Sequence, residues 1–137
     1  MPRYTAKIKL KGDWDTRQQI KKRIRGELQK IGSKHAERVR DEAVRMMKSS
    51  KSGRHHLGLP NRSSAPGEAP AVQSGALARS IKVTTDRASG VQFRVGTPLW
   101  YGNHLMTDRN RPALLPALRK EFPSYLEEVR SMIGRKV

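Results

Sequence analysis

The chain contains no cysteine, which removes disulfides and thiolate metal sites and fits a reducing compartment. Aromatic residues make up only 5% and hydrophobic residues 35% of its 137 positions, so a single domain (1–137) with a modest core is expected. A core of that kind leans on partner subunits to complete its burial. No apolar run approaches the ~20 residues of a membrane span. The opening "MPRYTAKIKLKG" lacks the apolar centre of a secretory signal. The chain is therefore expected to be made in the cytoplasm and to engage no membrane. Acidic residues are scarce too: 12 Asp and Glu stand against 29 Lys and Arg, for a net charge of +17. Residues 1–56 hold 17 basic and 6 acidic side chains, and residues 57–137 hold 12 and 6. Such an excess attracts polyanions, nucleic acid first among them. No zinc finger, homeodomain-like helix or aromatic RNA-binding motif is present, so reading of base sequence is not expected.

Catalytic signals are equally thin. Of the four histidines, His55 and His56 are adjacent, point apart in extended chain, and have no carboxylate at ligand spacing. His35 lies near a helical apolar stripe and reads as a packed or half-exposed side chain. There is no nucleophile elbow, phosphate-binding loop or dinucleotide fingerprint. The acids are scattered, without the clustered carboxylates that a metal-dependent nuclease requires. The chain is expected to be no enzyme and to need no cofactor or metal.

What is present is periodicity. Residues 3–11 alternate apolar and basic, as a half-buried strand does. From Trp14 to about Lys48, Ile20, Ile24, Leu28, Ile31, Val39, Ala43 and Met46 or Met47 follow helical spacing, predicting one long helix with a narrow stripe. Gly26 and Gly32 inside it mark a bend or a place where another backbone comes close. Residues 49–73 hold five Ser, three Gly and three Pro, and read as a long loop. Ser74 then caps a short turn, and "SIKVTTD" with "VQFRVG" reads as a hairpin turning over Asp86 to Gly90. Residues 97–111 read as irregular. Leu115, Leu118, Phe122, Leu126, Val129 and Ile133 form a second helical stripe, begun near Pro112 and Pro116, kinked or restarted at Pro123, and ended by Gly134. The expected fold is α+β: a small, mostly antiparallel sheet packed by a long N-terminal helix and a C-terminal helix, with a long extended loop.

Two stretches carry a family likeness. In "SAPGEAPAVQSGALARSIKV", the loop residues Pro66, Gly67, Glu68 and Pro70 lead into Ser74, Gly75, Leu77 and Arg79. In "VGTPLWYGNHLMTDRNRPALLPAL", the matching positions are Gly96, Thr97, Tyr101, Arg111 and Pro112. Together, and in this order after a long basic helix, they resemble the neck and tail-component proteins of long-tailed bacteriophages, the head–tail joining or tail-completion family. The acidic residue that this family carries after the tyrosine is replaced here by "YGNHLM", and its second Gly-Thr is absent.

The resemblance implies a virion structural protein at the head–tail junction, copied into a homo-oligomeric ring, six-fold by preference or twelve-fold to match a portal. It implies adjoining connector and tail-tube or tail-terminator proteins as partners, and genomic double-stranded DNA in the channel. In that setting residues 49–73 are an arm, mobile alone and ordered on docking, kept extended by Pro66 and Pro70. Lys21, Lys22, Arg23 and Arg25 on the helix, with Lys51, Arg54 and Arg62 on the arm, are the candidates to line the channel through phosphate contacts. The alternative is a sequence-nonspecific nucleic-acid-binding protein.

Overall fold

Asp13 starts the first helix. Its carboxylate accepts the Thr16 amide at 2.8 Å and the Thr16 hydroxyl at 3.1 Å, occupying a donor that a helix start otherwise leaves open. The Thr16 amide bond is the main reason that the Asp13 carboxyl lies below its ordinary range. Helix α1 then runs from Trp14 to Lys48, 35 residues. Arg45 and Lys48 occupy its last turn, where cations complement the helix dipole. Its buried side is Ile24, Ile31, Gly32, His35, Ala36, Val39, Ala43 and Met47, the stripe that the sequence spacing predicts.

The computed structural model describes residues 13–85 and 91–136. The strand expected over residues 3–11 and the turn over Asp86–Gly90 lie outside the described residues. Beyond α1 and the loop, the elements are α2 (Ala76–Ser80), β1 (Lys82–Thr85), β2 (Phe93–Gly96), α3 (Trp100–Thr107) and α4 (Leu114–Lys136). Strands β1 and β2 pair antiparallel, with Val83 opposite Val95 and Thr85 opposite Phe93. The fold is thus α+β, with a long N-terminal helix, a C-terminal helix and a small antiparallel sheet.

Three local expectations are corrected. Residues 100–107, read as irregular, form α3. Helix α4 continues through Pro123 without restarting, and it passes Gly134 to end at Lys136. Gly26 and Gly32 do not interrupt α1; of the two, Gly32 is a place of close approach, by the Phe93 side chain of β2 where a backbone was expected.

The core divides in two along α1. The inner cluster joins Val39, Ala43 and Met47 of α1 to Ala69 of the loop, Ala78 and Ile81 at α2, and Ala113 and Ala117 at the start of α4. The outer cluster consists of Ile24 and Ile31 of α1 against Val129 and Met132 of α4. The start of α1 therefore meets the end of α4, and the two helices run antiparallel. The small alanines of the inner cluster let backbones approach closely, while Met47 and Met132 fill the remaining space at 1% exposure.

Candidate functional site

The loop is built outward from the end of α1. The Ser49 amide donates to Arg45 O at 3.1 Å, and the Ser49 hydroxyl donates to Met46 O at 2.6 Å. The Lys51 ammonium reaches the same Met46 carbonyl and the Ser49 hydroxyl. Burial lowers the pKa of Lys51, against the opposing pull of Glu68. Lys51, one of the candidates to line a channel, also closes the C-terminus of α1.

Glu68 organises the next layer. Its carboxylate accepts the Ser52 amide at 3.2 Å, the Ser52 hydroxyl, and the Ala65 amide at 2.8 Å. These bonds, the Ser52 hydroxyl foremost, hold its pKa down to about 2. The neighbouring Gly67 amide donates to Asn110 O at 2.8 Å, and Ala69 and Pro70 are buried beside it. Arg111 crosses from the far side of the fold, its Nε donating to Ser64 O at 3.1 Å and to Ser64 Oγ at 2.9 Å.

Farther out the loop is pinched. The Gly53 amide donates to Ser63 O at 2.9 Å, the Ser63 amide returns a bond to Arg54 O at 3.0 Å, and Arg62 reaches Gly53 O at 3.3 Å. Asn61 and Gln73 exchange bonds of 3.2 and 2.9 Å. Only residues 55–60 lie beyond these bonds. There Leu57 is wholly exposed and Leu59 is 41% exposed, between Arg54, His55, His56 and Arg62. The segment has no helix or strand, as expected, but it is folded back on itself. Pro66 lies in a turn closed by the Glu68 amide on Ala65 O at 3.0 Å, so it reverses the chain there and does not extend it, while Pro70 is buried.

The second half of the site is where the two family-like stretches meet. Gly75, at φ 82, adopts the left-handed backbone open to glycine and starts α2. The Arg79 guanidinium folds back to donate to Ser74 O at 3.3 Å. The Ser80 hydroxyl donates to Leu77 O at 2.6 Å, and its oxygen lies 2.6 Å from Thr97 Oγ1. A hydroxyl carries one proton, so Thr97 donates to Ser80 while accepting the Leu99 amide at 3.1 Å. Helix α3 sits directly on this joint. A Cβ on Gly102 would lie 2.6 Å from the Thr97 methyl and 2.7 Å from Leu77 Cδ1. Beside it opens a hollow of about 190 Å³ lined by Met47, Val72, Leu77, Ala78, Tyr101 and Leu105, among others. Gly96 ends β2 with open space around it, and Pro112 is half-buried just before α4.

The cationic candidates separate into two groups. Lys21, Lys22, Arg23 and Arg25 are exposed on α1, and among the described residues none of them enters an ion pair. The loop springs from the opposite end of the helix, ~35 Å away at 1.5 Å per residue. Arg54 and Arg62 therefore do not form one patch with them. Toward its C-terminal end α1 is electrostatically different. Glu42 takes two bonds from Arg45, at 2.9 and 2.6 Å, and one from Lys120 of α4 at 3.0 Å, which hold its pKa down to about 2.

His35 is packed, as the sequence suggests; what sequence reading missed is the pair of carboxylates around it. It is 3% exposed, and both ring nitrogens face carboxylates: Nδ1 is 2.6 Å from Glu121 and Nε2 is 2.6 Å from Glu128. Lys34 pairs with Glu128, Arg38 stands 3.4 Å from Glu121, and the Tyr125 ring meets the imidazole edge-on at 5.6 Å. The local signal was a histidine in register with the buried stripe at 24, 28, 31, 35 and 39. Its partners are two glutamates seven residues apart on another stripe. Among the described residues no group of three or more His, Cys, Asp or Glu could hold a metal, and no helix is long and apolar enough to cross a membrane.

Comparison with models of known families, with curated proteins and with solved structures finds no match. The fold and site by themselves define an α+β domain with a closed, leucine-tipped loop at one end and a bare cationic helix surface at the other.

Proposed function

We propose that the protein is a structural component of the head–tail junction of a long-tailed bacteriophage, assembled as a ring that joins the tail to the DNA-filled head. One observation carries this reading beyond the sequence likeness. The stretches 73–81 and 96–112, which carry the likeness separately, pack on one another through Ser80 and Thr97 and through Leu77 and Gly102. The pairing supports a shared structural motif in place of two chance matches. In this role the tip residues Leu57 and Leu59 contact an adjoining connector or tail protein, and the ring surrounds the genome. Electron microscopy of assembled particles tests it. A closed ring of this chain at the neck is the expected result. Its absence from the neck, or scattered decoration of head or tail, overturns the proposal.

A second reading is favoured by Lys21, Lys22, Arg23 and Arg25: nonspecific binding of nucleic acid by the isolated chain. Contacts of that kind go to phosphates, so duplex affinity would be indifferent to sequence and fall steeply with salt. Lys21→Glu, Lys22→Glu and Arg25→Glu together would abolish it. Tight duplex binding by the purified monomer, with no ring at the neck, selects this reading over the first.

A further inference from the structure

His35 is the one buried polar or charged side chain among the described residues, and it sits at the seam between the two cores. On one side of the seam α1 is held by the loop, α2 and the start of α4. On the other, the outer core of the described residues is built from α1 and α4 alone, with Ile24 and Ile31 against Val129 and Met132. Ile20, Leu28, Tyr125 and Ile133, each partly buried, pack against that outer core.

The ring chemistry at the seam is constrained. A neutral imidazole has one N–H and one lone pair; a protonated one has two N–H groups. Carboxylates only accept. With Glu121 2.6 Å from Nδ1 and Glu128 2.6 Å from Nε2, only the doubly protonated ring satisfies both. The neutral ring turns a lone pair toward a carboxylate oxygen, in a place where the imidazole is 4% exposed and water cannot mediate. The titratable and charged groups facing the ring are Lys34 and Arg38 from α1, and Glu121, Tyr125 and Glu128 from α4. Lys34 and Arg38 stand at the exposed rim, and the Lys34 ammonium foremost holds the Glu128 carboxyl below its ordinary range. Burial raises the pKa of Tyr125, which keeps its phenol neutral.

We propose that His35, Glu121 and Glu128 form a protonation-dependent latch that holds the outer halves of α1 and α4 together and loosens them when the ring gives up a proton. Lys21, Lys22, Arg23 and Arg25 ride on the half that is freed, so the latch also governs how rigidly that cationic surface is presented. The device belongs to the isolated chain and stands apart from the assembly reading.

Backbone hydrogen exchange on the full chain, corrected for intrinsic rates, tests it between about pH 5 and pH 8, where histidine switches operate. Protection of amides in 20–31 and 125–133 should fall about tenfold or more as pH rises, the scale of a lost charge-assisted bond. Protection in 39–47 should stay level. His35→Gln should give a low, flat profile in the outer segments. Glu121→Gln with Glu128→Gln should invert the slope, because two amides can each donate or accept and so favour the neutral ring. A flat wild-type profile, or the wild-type slope surviving in His35→Gln, overturns the latch. Should His35→Gln fail to fold, the double glutamine variant decides: an inverted slope supports the latch and an unchanged slope overturns it.

Discussion

Gly32 of α1 lies directly beneath the ring of Phe93 on β2: a Cβ built on the glycine would fall 2.3 Å from the ring edge. The sheet can settle on the helix because that one position carries no side chain. Gly26, six residues earlier, has nothing within 4 Å of the same construction. Identical substitutions at the two positions should therefore have opposite signs. Gly26→Ala should stabilise the protein by up to ~1 kcal/mol, the helix-propensity difference. Gly32→Ala should destabilise it by about 1–3 kcal/mol through overpacking, less whatever the phenyl ring recovers by moving. Chemical denaturation of the two variants checks the pair, and a stabilised Gly32→Ala would show that the sheet does not rest there.

Met47 is the larger lever on the inner core. It is 1% exposed and joins α1 to the loop and to the first turn of α4. Met47→Ala should cost about 2–5 kcal/mol, the range for deleting a large buried side chain into a cavity. Trp14, 67% exposed at the start of α1, should tolerate replacement by Gln with little change in the same denaturation experiment.

Glu68 makes loop order depend on pH in a defined direction. Its pKa is about 2 against an ordinary 4.5, so its contribution is complete above 4.5 and is lost as pH falls toward about 2. Glu68→Gln imitates the protonated state at neutral pH. The variant should keep its helices by circular dichroism yet be cut faster by protease within residues 54–62. Equal cleavage of variant and parent would mean that the loop is held without the carboxylate. Glu42 titrates in the same window, from its bonds to Arg45 and Lys120, and adds to acid lability in the helix layer.

The closed loop narrows what can be removed without harm. Cutting out residues 52–70 would take Glu68, Ala69 and Pro70 and open the inner core. Replacing only residues 55–60 with a two-glycine link should leave thermal stability nearly unchanged, since Gly53 and Ser63 already meet and the bonds of Arg54 and Asn61 are kept. Under the proposed function the same variant, and Leu57→Ser alone, should block tail attachment in an infectivity assay. Full infectivity of both would reduce the tip to an inert surface loop.

Periodic elements were legible because their information is local. The stripe from Ile20 to Met47 delimits α1, and the alternation around Val83 and Val95 marks the hairpin. Helix α3 was not legible. It spans eight residues, holds Gly102 and Asn103, and is too short to show a stripe. It forms because Gly102 can rest on Thr97 and Leu77, a tertiary cause with no local trace. Pro123 misled in the opposite sense: its local penalty is outweighed along α4, where Val129 and Met132 continue the packing begun by Ala117. The site divides the same way. The exposed cations of α1 follow from the complement of its apolar stripe. The partners of His35, Glu68 and Arg111 lie 86, 16 and 47 residues away along the chain, and no spacing rule links them.

The pinch between Gly53 and Ser63 also makes the loop a natural place to graft. Its two ends leave the body of the protein already hydrogen-bonded to one another at 2.9 Å. A guest peptide placed between them inherits ends that are held together, so closing it adds only the slow, logarithmic entropy of a longer loop. An epitope or affinity tag inserted at Gly58 would be displayed outward without touching either core. If the chain assembles as a ring, each particle would carry that guest in a fixed number of evenly spaced copies.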